Sequence, residues 1–202
     1  MSELKTNHMN LDSHYHSIQG IYAITPNQEL NLNLLERAFN QYQIQILQYR
    51  HKVADASLKL SEAEQIKQLC RKHHTLFIIN DDVELAQKIG ADGIHLGKDD
   101  YSIEAAREKL GETAIIGASC YNDIQLAKSK QAQGASYVAF GALFPSKTKP
   151  DAPHCPLNII KYAKAALKVP IVGIGGINFE NYKKAFDAGC DAVAMVDAIF
   201  NQ

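Results

Sequence analysis

The sequence lacks a dominant charge. Its 21 Lys and Arg stand against 22 Asp and Glu, a formal net of −1 over 202 residues. That balance offers no basic face to nucleic acid and no attraction to an acidic membrane surface. No apolar run approaches the ~20 residues of a membrane span, so no membrane partner is expected. The polar opening MSELKTNHMNLDSHYHS has no apolar stretch, and no signal peptide is expected there. The four cysteines, Cys70, Cys120, Cys155 and Cys190, have no paired spacing. This argues against a disulfide framework or a zinc site and for reduced thiols in the cytoplasm. No GxGxxG follows the first apolar run, which counts against an open dinucleotide-binding sheet.

What is present is regular alternation. Short apolar runs near 20–25, 44–49, 75–80, 92–96, 114–118, 136–141, 170–174 and 191–196 read as strands. Between them, apolar residues at helical spacing mark helices near 31–42, 57–73, 82–90, 102–110, 122–132, 156–167 and 178–188. A weak repeat supports this count: GADGIHLG at 90–97, GASYVAFG at 134–141 and GCDAVAMV at 189–196. In each, Gly ends a helix, a polar residue follows and a strand begins. Eight βα units in one chain of this length imply α/β architecture, a single (β/α)₈ TIM barrel. The alternative is an open, doubly wound sheet. Only Asp197 to Gln202 follow the last strand, so the C-terminal helix is shortened and another segment, the N-terminal one for example, must cover that side. Residues 1–19, with His8, His14 and His16, are expected to be a flexible tail, and 20–202 the catalytic barrel.

In a parallel barrel every strand ends on one rim, where ligands bind. Candidate chemistry therefore sits at strand ends. Asn80, Asp81 and Asp82 follow the third strand, and Asp99 and Asp100 follow the fourth. Two carboxylates on a rim suit Mg²⁺, which takes one or two carboxylates plus substrate phosphates. They equally suit helix capping. The second strand ends in Gln48-Tyr49-Arg50-His51-Lys52, where Gln48, Arg50 and Lys52 can share one side and clamp a multiply charged anion, or simply form a solvated loop. The fifth ends near Ser119, a hydroxyl for a ligand or a cap for the next helix. After the sixth come Phe144-Pro145-Ser146-Lys147-Thr148-Lys149-Pro150-Asp151, hydroxyls and ammonium groups on a loop stiffened by proline. After the seventh, Gly175-Gly176 permit close backbone approach to a ligand, and the eighth leads through Val196 to Asp197.

The ordered set YAIT (22–25), QYRHK (48–52), INDDVELA (79–86), GADGIHLGKDD (90–100), GAS (117–119), FPSKTKPDA (144–152), PIVGIGGI (170–177) and AGCDAVAMVDAIF (188–200) resembles the thiamine-phosphate synthase family. The resemblance implies a Mg²⁺-dependent transferase. It joins 4-amino-2-methyl-5-hydroxymethylpyrimidine diphosphate to 4-methyl-5-(2-hydroxyethyl)thiazole phosphate, giving thiamine monophosphate and pyrophosphate. Carried over by motif, Gln48, Tyr49, Arg50, His51, Lys52, Asn80, Ser119 and Lys149 meet the pyrimidine diphosphate. Ser146, Lys147, Thr148, Gly176, Val196 and Asp197 meet the thiazole phosphate. Asp81 and Asp100 hold one Mg²⁺ per site. Arg50, Lys52, Ser119 and Lys149 carry the catalytic work, with Leu143 and Phe144 as apolar candidates beside the thiazole.

The implied partners are two small phosphorylated molecules, and a homo-oligomer is compatible with the sequence. The chain departs from the family at Gly141-Ala142, where Gly-Pro is usual, at Cys120-Tyr121, where His is common, and at Asp197, where a hydroxyl is usual. Two other readings are a thiazole tautomerase, which needs a His after Ser119 as base, and a non-catalytic phosphate-binding barrel, which needs no metal carboxylates.

Overall fold

The computed structural model describes residues 18–97, 101–145 and 153–200. Eight parallel strands close into a barrel in sequence order. They are β1 (Gly20–Ile24), β2 (Ile44–Tyr49), β3 (Leu76–Asn80), β4 (Gly93–Leu96), β5 (Ile115–Tyr121), β6 (Tyr137–Phe140), β7 (Ile171–Ile174) and β8 (Ala192–Met195). Each is followed by a helix: α1 (Leu32–Gln41), α2 (Ala56–Lys72), α3 (Val83–Ile89), α4 (Ile103–Leu110), α5 (Ile124–Ala132), α6 (Leu157–Ala166), α7 (Tyr182–Ala188) and the four-residue α8 (Asp197–Phe200). Strand β1 pairs with β8 to close the ring. The open-sheet alternative is thereby excluded.

Strand alternation divides the apolar residues into two cores. One set lies between strands and helices and includes Ala23, Leu47, Phe77, Ile79, Ile94, Ile116, Val138, Ile171 and Val193. The other fills the barrel and includes Tyr22, Ile46, Ile78, Ile115, Tyr137, Val172 and Ala194. Ile18, inside the segment expected to be a tail, belongs to this interior set and is 1% exposed. The remainder of that expected tail, 1–17, lies outside the described residues.

The sequence repeat has a physical basis. Asp92 accepts the Phe77 N–H at 2.8 Å through its carboxylate, while its own N–H donates to the Phe77 carbonyl at 3.0 Å. Asp191 forms the same reciprocal pair with Ile171, and Ser136 with Ile116. The polar residue after each helix-ending glycine thus clamps the start of its own strand to the start of the preceding one: β4 to β3, β6 to β5, β8 to β7.

The start of one helix differs clearly from expectation. α7 begins at Tyr182 rather than 178, because Asn178 and Asn181 form a side-chain-bonded turn first: Asn178 Oδ1 accepts from Glu180 and Asn181 N–H, and Asn181 Oδ1 accepts from Asn178 N–H. On the side of the short α8, Ile199 and Phe200 are buried and α8 packs on α1. The Tyr42 ring, just after α1, stacks on Phe179 at 4.6 Å, and Tyr182 and Phe186 of α7 continue the row edge to face. These rings bridge the two helices that flank the stub.

Candidate active site

The rim acids have different jobs. Asp82 caps α3, its carboxylate accepting the Leu85 N–H at 3.0 Å. Asp81 does not cap. It takes the left-handed backbone conformation (φ 61°), which Asp tolerates better than most residues. Its N–H donates to the His95 carbonyl at 2.9 Å, joining the ends of β3 and β4. Its Oδ2 accepts from Asn80 Nδ2 at 2.6 Å and lies 2.7 Å from the Lys52 ammonium. A rim carboxylate that already holds a side-chain cation fits a role as a cation ligand. Asp100, its expected partner, lies outside the described residues.

The QYRHK segment is split by alternation. Gln48 turns into the barrel, 3% exposed, and its Nε2 donates to the Tyr22 hydroxyl at 2.7 Å. Arg50 sits above it at the rim, with its N–H bonded to Thr25 Oγ1 at 2.8 Å. Lys52 is fixed through its N–H to Asn27 Oδ1 at 2.6 Å. Tyr49 and His51, which the resemblance puts with the pyrimidine diphosphate, instead point outward under α2. The Tyr49 hydroxyl donates to Glu62 Oε2 at 2.5 Å, and His51 Nδ1 lies 2.8 Å from the same oxygen. Glu62 Oε1 also accepts the Leu30 N–H at 2.7 Å. Burial acts to raise the Glu62 carboxyl pKa, but these donors outweigh it and hold the group below the ordinary carboxylate range. Glu62 is therefore a buried anchor under the β1 and β2 loops.

Strand β5 runs to Tyr121, three residues past the expected end, so Ser119 is a strand residue facing the barrel. It caps no helix; Asp123 caps α5. Cys120 points the other way into the outer core, and burial pushes its thiol up to about 12. Leu143 is also in the outer core, 2% exposed, rather than beside a ligand; Phe144 is partly buried against it. Gly176 (φ 62°) lies beneath the β6 loop, where a Cβ would stand 2.2 Å from the Pro145 carbonyl oxygen. Its lack of a side chain is needed for loop packing as much as for any ligand. Asn181 Nδ2 braces the Gly176 carbonyl at 2.9 Å. Val196 follows β8 and Asp197 opens α8, on the same rim. Ser146, Lys147, Thr148 and Lys149 lie outside the described residues.

Three interior residues escaped the strand-end reading: Tyr22, His95 and Tyr137. Tyr22 and Tyr137 hydroxyls are 2.8 Å apart. His95 Nδ1 lies 3.0 Å from the Tyr137 hydroxyl, and its Nε2 lies 3.0 Å from Ser119 Oγ. Gly117 gives the Tyr137 ring its space, since a Cβ there would meet the ring at 2.0 Å. Burial pushes the His95 imidazole down to about 4, against the opposing pull of the Asp81 charge. A signal was available: His95 shares the inward parity of Gly93 and Gly97, and Tyr22 that of Ile24, so each is a polar residue aimed into the barrel.

The rim therefore presents amides (Gln48, Asn80), cations (Arg50, Lys52), a hydroxyl (Ser119) and a carboxylate (Asp81) at the C-terminal ends of β2, β3 and β5. Such a set can orient a polar ring and offset charge on a phosphorylated group. The family model described as thiamine monophosphate synthase matches residues 21–199. A thiamine-phosphate synthase of Chromobacterium violaceum is 50% identical over 186 residues, 91% of this chain and 89% of that protein. One from Methylobacillus flagellatus is 48% identical over 186 residues, 91% and 88% respectively. Among solved structures, the thiamine phosphate pyrophosphorylase of Pyrococcus furiosus aligns over 93% of this chain and 90% of that one, with a TM-score of 0.84 and 29% identity. With the family model matching residues 21–199 and a relative identical at half of 186 aligned positions, the chain belongs to the thiamine monophosphate synthase family.

Proposed function

We propose that this chain joins the pyrimidine diphosphate to the thiazole phosphate, releasing pyrophosphate and forming thiamine monophosphate, in the cytoplasm. The observation that carries the reading is the rim itself: Gln48, Arg50, Lys52, Asn80, Asp81 and Ser119 stand at the C-terminal ends of three neighbouring or near-neighbouring strands. The electron-rich aminopyrimidine activates its own methylene carbon. Departure of pyrophosphate leaves a stabilised cation, and the thiazole nitrogen captures it. No side chain has to act as nucleophile or strong base. Gln48 and Asn80 orient the pyrimidine end, and Arg50, Lys52 and Lys149 offset the charge that grows on the leaving group. Asp81 and Asp100 would hold Mg²⁺, which when bound neutralises charge on the diphosphate. Gly176, Val196 and Asp197, with the Ser146 to Thr148 loop, would take the thiazole phosphate. The barrel interior below is filled by Tyr22, Ile78 and Tyr137, which keeps water from reaching the cation from underneath.

The test is a thiochrome fluorescence assay with both substrates and Mg²⁺, in wild-type protein and in Asp81→Asn. Fluorescent product from the wild type, with turnover lower by orders of magnitude and a higher Mg²⁺ requirement in the variant, is expected. Absence of product from folded wild-type protein would sink the reading.

A further inference from the structure

We infer that Tyr22, Tyr137 and His95 form a directed hydrogen-bond wire through the barrel, which makes Ser119 a hydroxyl donor toward the rim and ties its polarity to the orientation of the Gln48 amide. The inference rests on the proposed function for what the rim binds, but its direction follows from counting protons.

Four links make the wire: Gln48 to Tyr22 at 2.7 Å, Tyr22 to Tyr137 at 2.8 Å, Tyr137 to His95 Nδ1 at 3.0 Å, and His95 Nε2 to Ser119 at 3.0 Å. Gln48 supplies the proton of the first link from its amide nitrogen. The other three links have four protons to draw on: one each from Tyr22, Tyr137 and Ser119, and one from an uncharged imidazole. Neither imidazole nitrogen has a carboxylate partner in these bonds. One proton is therefore spare.

The spare proton cannot belong to either tyrosine. Tyr22 is 1% exposed and Tyr137 0%, and among the described residues neither has an acceptor outside the wire to receive its hydroxyl hydrogen. Stranding a buried donor costs about 1–3 kcal/mol. With the Gln48 N–H already entering Tyr22, the Tyr22 hydroxyl donates to Tyr137, Tyr137 donates to His95 Nδ1, and the Nε2–H donates to Ser119. Only the Ser119 proton remains, and Ser119 is partly exposed at the end of β5. It faces the position where an anionic oxygen of the substrate would stand. The Gln48 carbonyl oxygen and second N–H are left free at the other end.

The opposite direction requires the Gln48 amide turned over, so that its oxygen receives the Tyr22 proton. Every link then reverses: His95 carries its proton on Nδ1, Ser119 donates to Nε2, and toward the rim Ser119 can only accept. The two ends thus change together. Gln48 cannot present an acceptor to the pyrimidine unless Ser119 presents a donor. Tyr22, Tyr137 and His95 are positioning residues in this scheme, acting through Ser119 and Gln48.

Two measurements test it. In ¹⁵N-histidine-labelled wild-type protein without substrate, the His95 ring is expected as the Nε2–H tautomer with Nδ1 unprotonated. An Nδ1–H tautomer would overturn the assigned direction whether or not the chain has the proposed activity. The second is a double-mutant cycle on kcat/KM. Tyr137→Phe removes the proton donor to His95 while keeping the ring beside Gly117. It is expected to cost about tenfold in the wild-type background and less than about twofold in Ser119→Ala. Equal losses in both backgrounds would show that Tyr137 does not act through Ser119.

Discussion

Strand β2 sends alternate residues into two environments that look alike in sequence and differ in kind. On the inner face, Gln48 feeds a chain of neutral groups that ends at a hydroxyl beside the rim. On the outer face, Tyr49 and His51 converge on the single carboxylate of Glu62. Both networks contain tyrosine and histidine, but Tyr49, His51 and Glu62 are all buried, whereas His95 and Ser119 of the inner one are partly exposed. The inner one is a line of polar groups with an open end. The outer one is closed, with three donors around one anion. A line with an open end can present its last proton to a ligand, whereas a closed hub can only hold its surroundings in place. Residues one position apart on a strand should therefore fail in different ways when altered.

The sharpest contrast is expected from Arg50→Ala. Removing a charge-stabilising group of this kind should lower turnover about 10²–10³-fold, with a thermal midpoint near that of the wild type. Steady-state rates and a melting curve on the same preparation check both halves. A similar loss of stability in this variant would erase the distinction between the rim and the support beneath it.

Glu62→Ala should show the reverse. It leaves the Tyr49 hydroxyl, the His51 ring and the Leu30 N–H without their acceptor, and removing one member of a buried charged network costs about 3 kcal/mol. Urea denaturation should show that loss, while kcat of the folded fraction falls by less than about tenfold. A large drop in kcat with unchanged stability would make Glu62 part of the chemistry.

Acidification should strain both faces in the same direction. The His95 pKa is lowered to about 4 from an ordinary 6.5. Between those values the unfolded chain binds a proton that the folded chain refuses, so stability falls as the pH drops from about 6.5 toward 4. Glu62, also lowered, adds its loss below the ordinary carboxylate range. In metal-free protein, urea midpoints measured from pH 7 to 4.5 should decline, and His95→Gln should flatten the upper part of that decline. An unchanged slope in the variant would assign the effect to other groups.

The smallest effect is expected at Cys120. Its buried thiol faces the outer core, and no proposed step uses a thiolate. Cys120→Ala should leave kcat and both Michaelis constants within about twofold of the wild type. Lost activity in a folded variant would demand a different mechanism.

The fold was legible because two periodicities, apolar runs and helical spacing, repeated eight times, and because glycines marked helix ends at Gly90, Gly134 and Gly189. The rim was legible by topology, since strand ends in a parallel barrel meet on one face. Side-chain direction was less so. Nothing in Asn80-Asp81-Asp82 tells which acid caps α3; the positive φ of Asp81 decides it, and that follows from the exit of β3 beside β4. Tyr49 and His51 were drawn to the ligand by their motif, although strict alternation with Gln48 and Arg50 already placed them outside. Glu62, their partner, lies more than ten residues away on a helix with no local mark of burial. The interior wire was hidden for a related reason: its members come from five strands, and each looks isolated within its own apolar run.

The reciprocal clamps of Asp92, Ser136 and Asp191 bear on how the barrel comes apart. Each ties an even strand to the odd strand before it, and at the base of β4/β5, β6/β7 and β8/β1 the bonds are backbone to backbone. The arc from β3 to β8, stapled in this alternating way, should open at β4/β5 and β6/β7, releasing strands two at a time; Thr75 Oγ1 donates to the Ile44 carbonyl at the base of β2/β3. Native-state hydrogen exchange would then group the amides of β3 with β4, β5 with β6 and β7 with β8 into shared opening units. Asp191→Ala should uncouple the last pair and leave the other two intact.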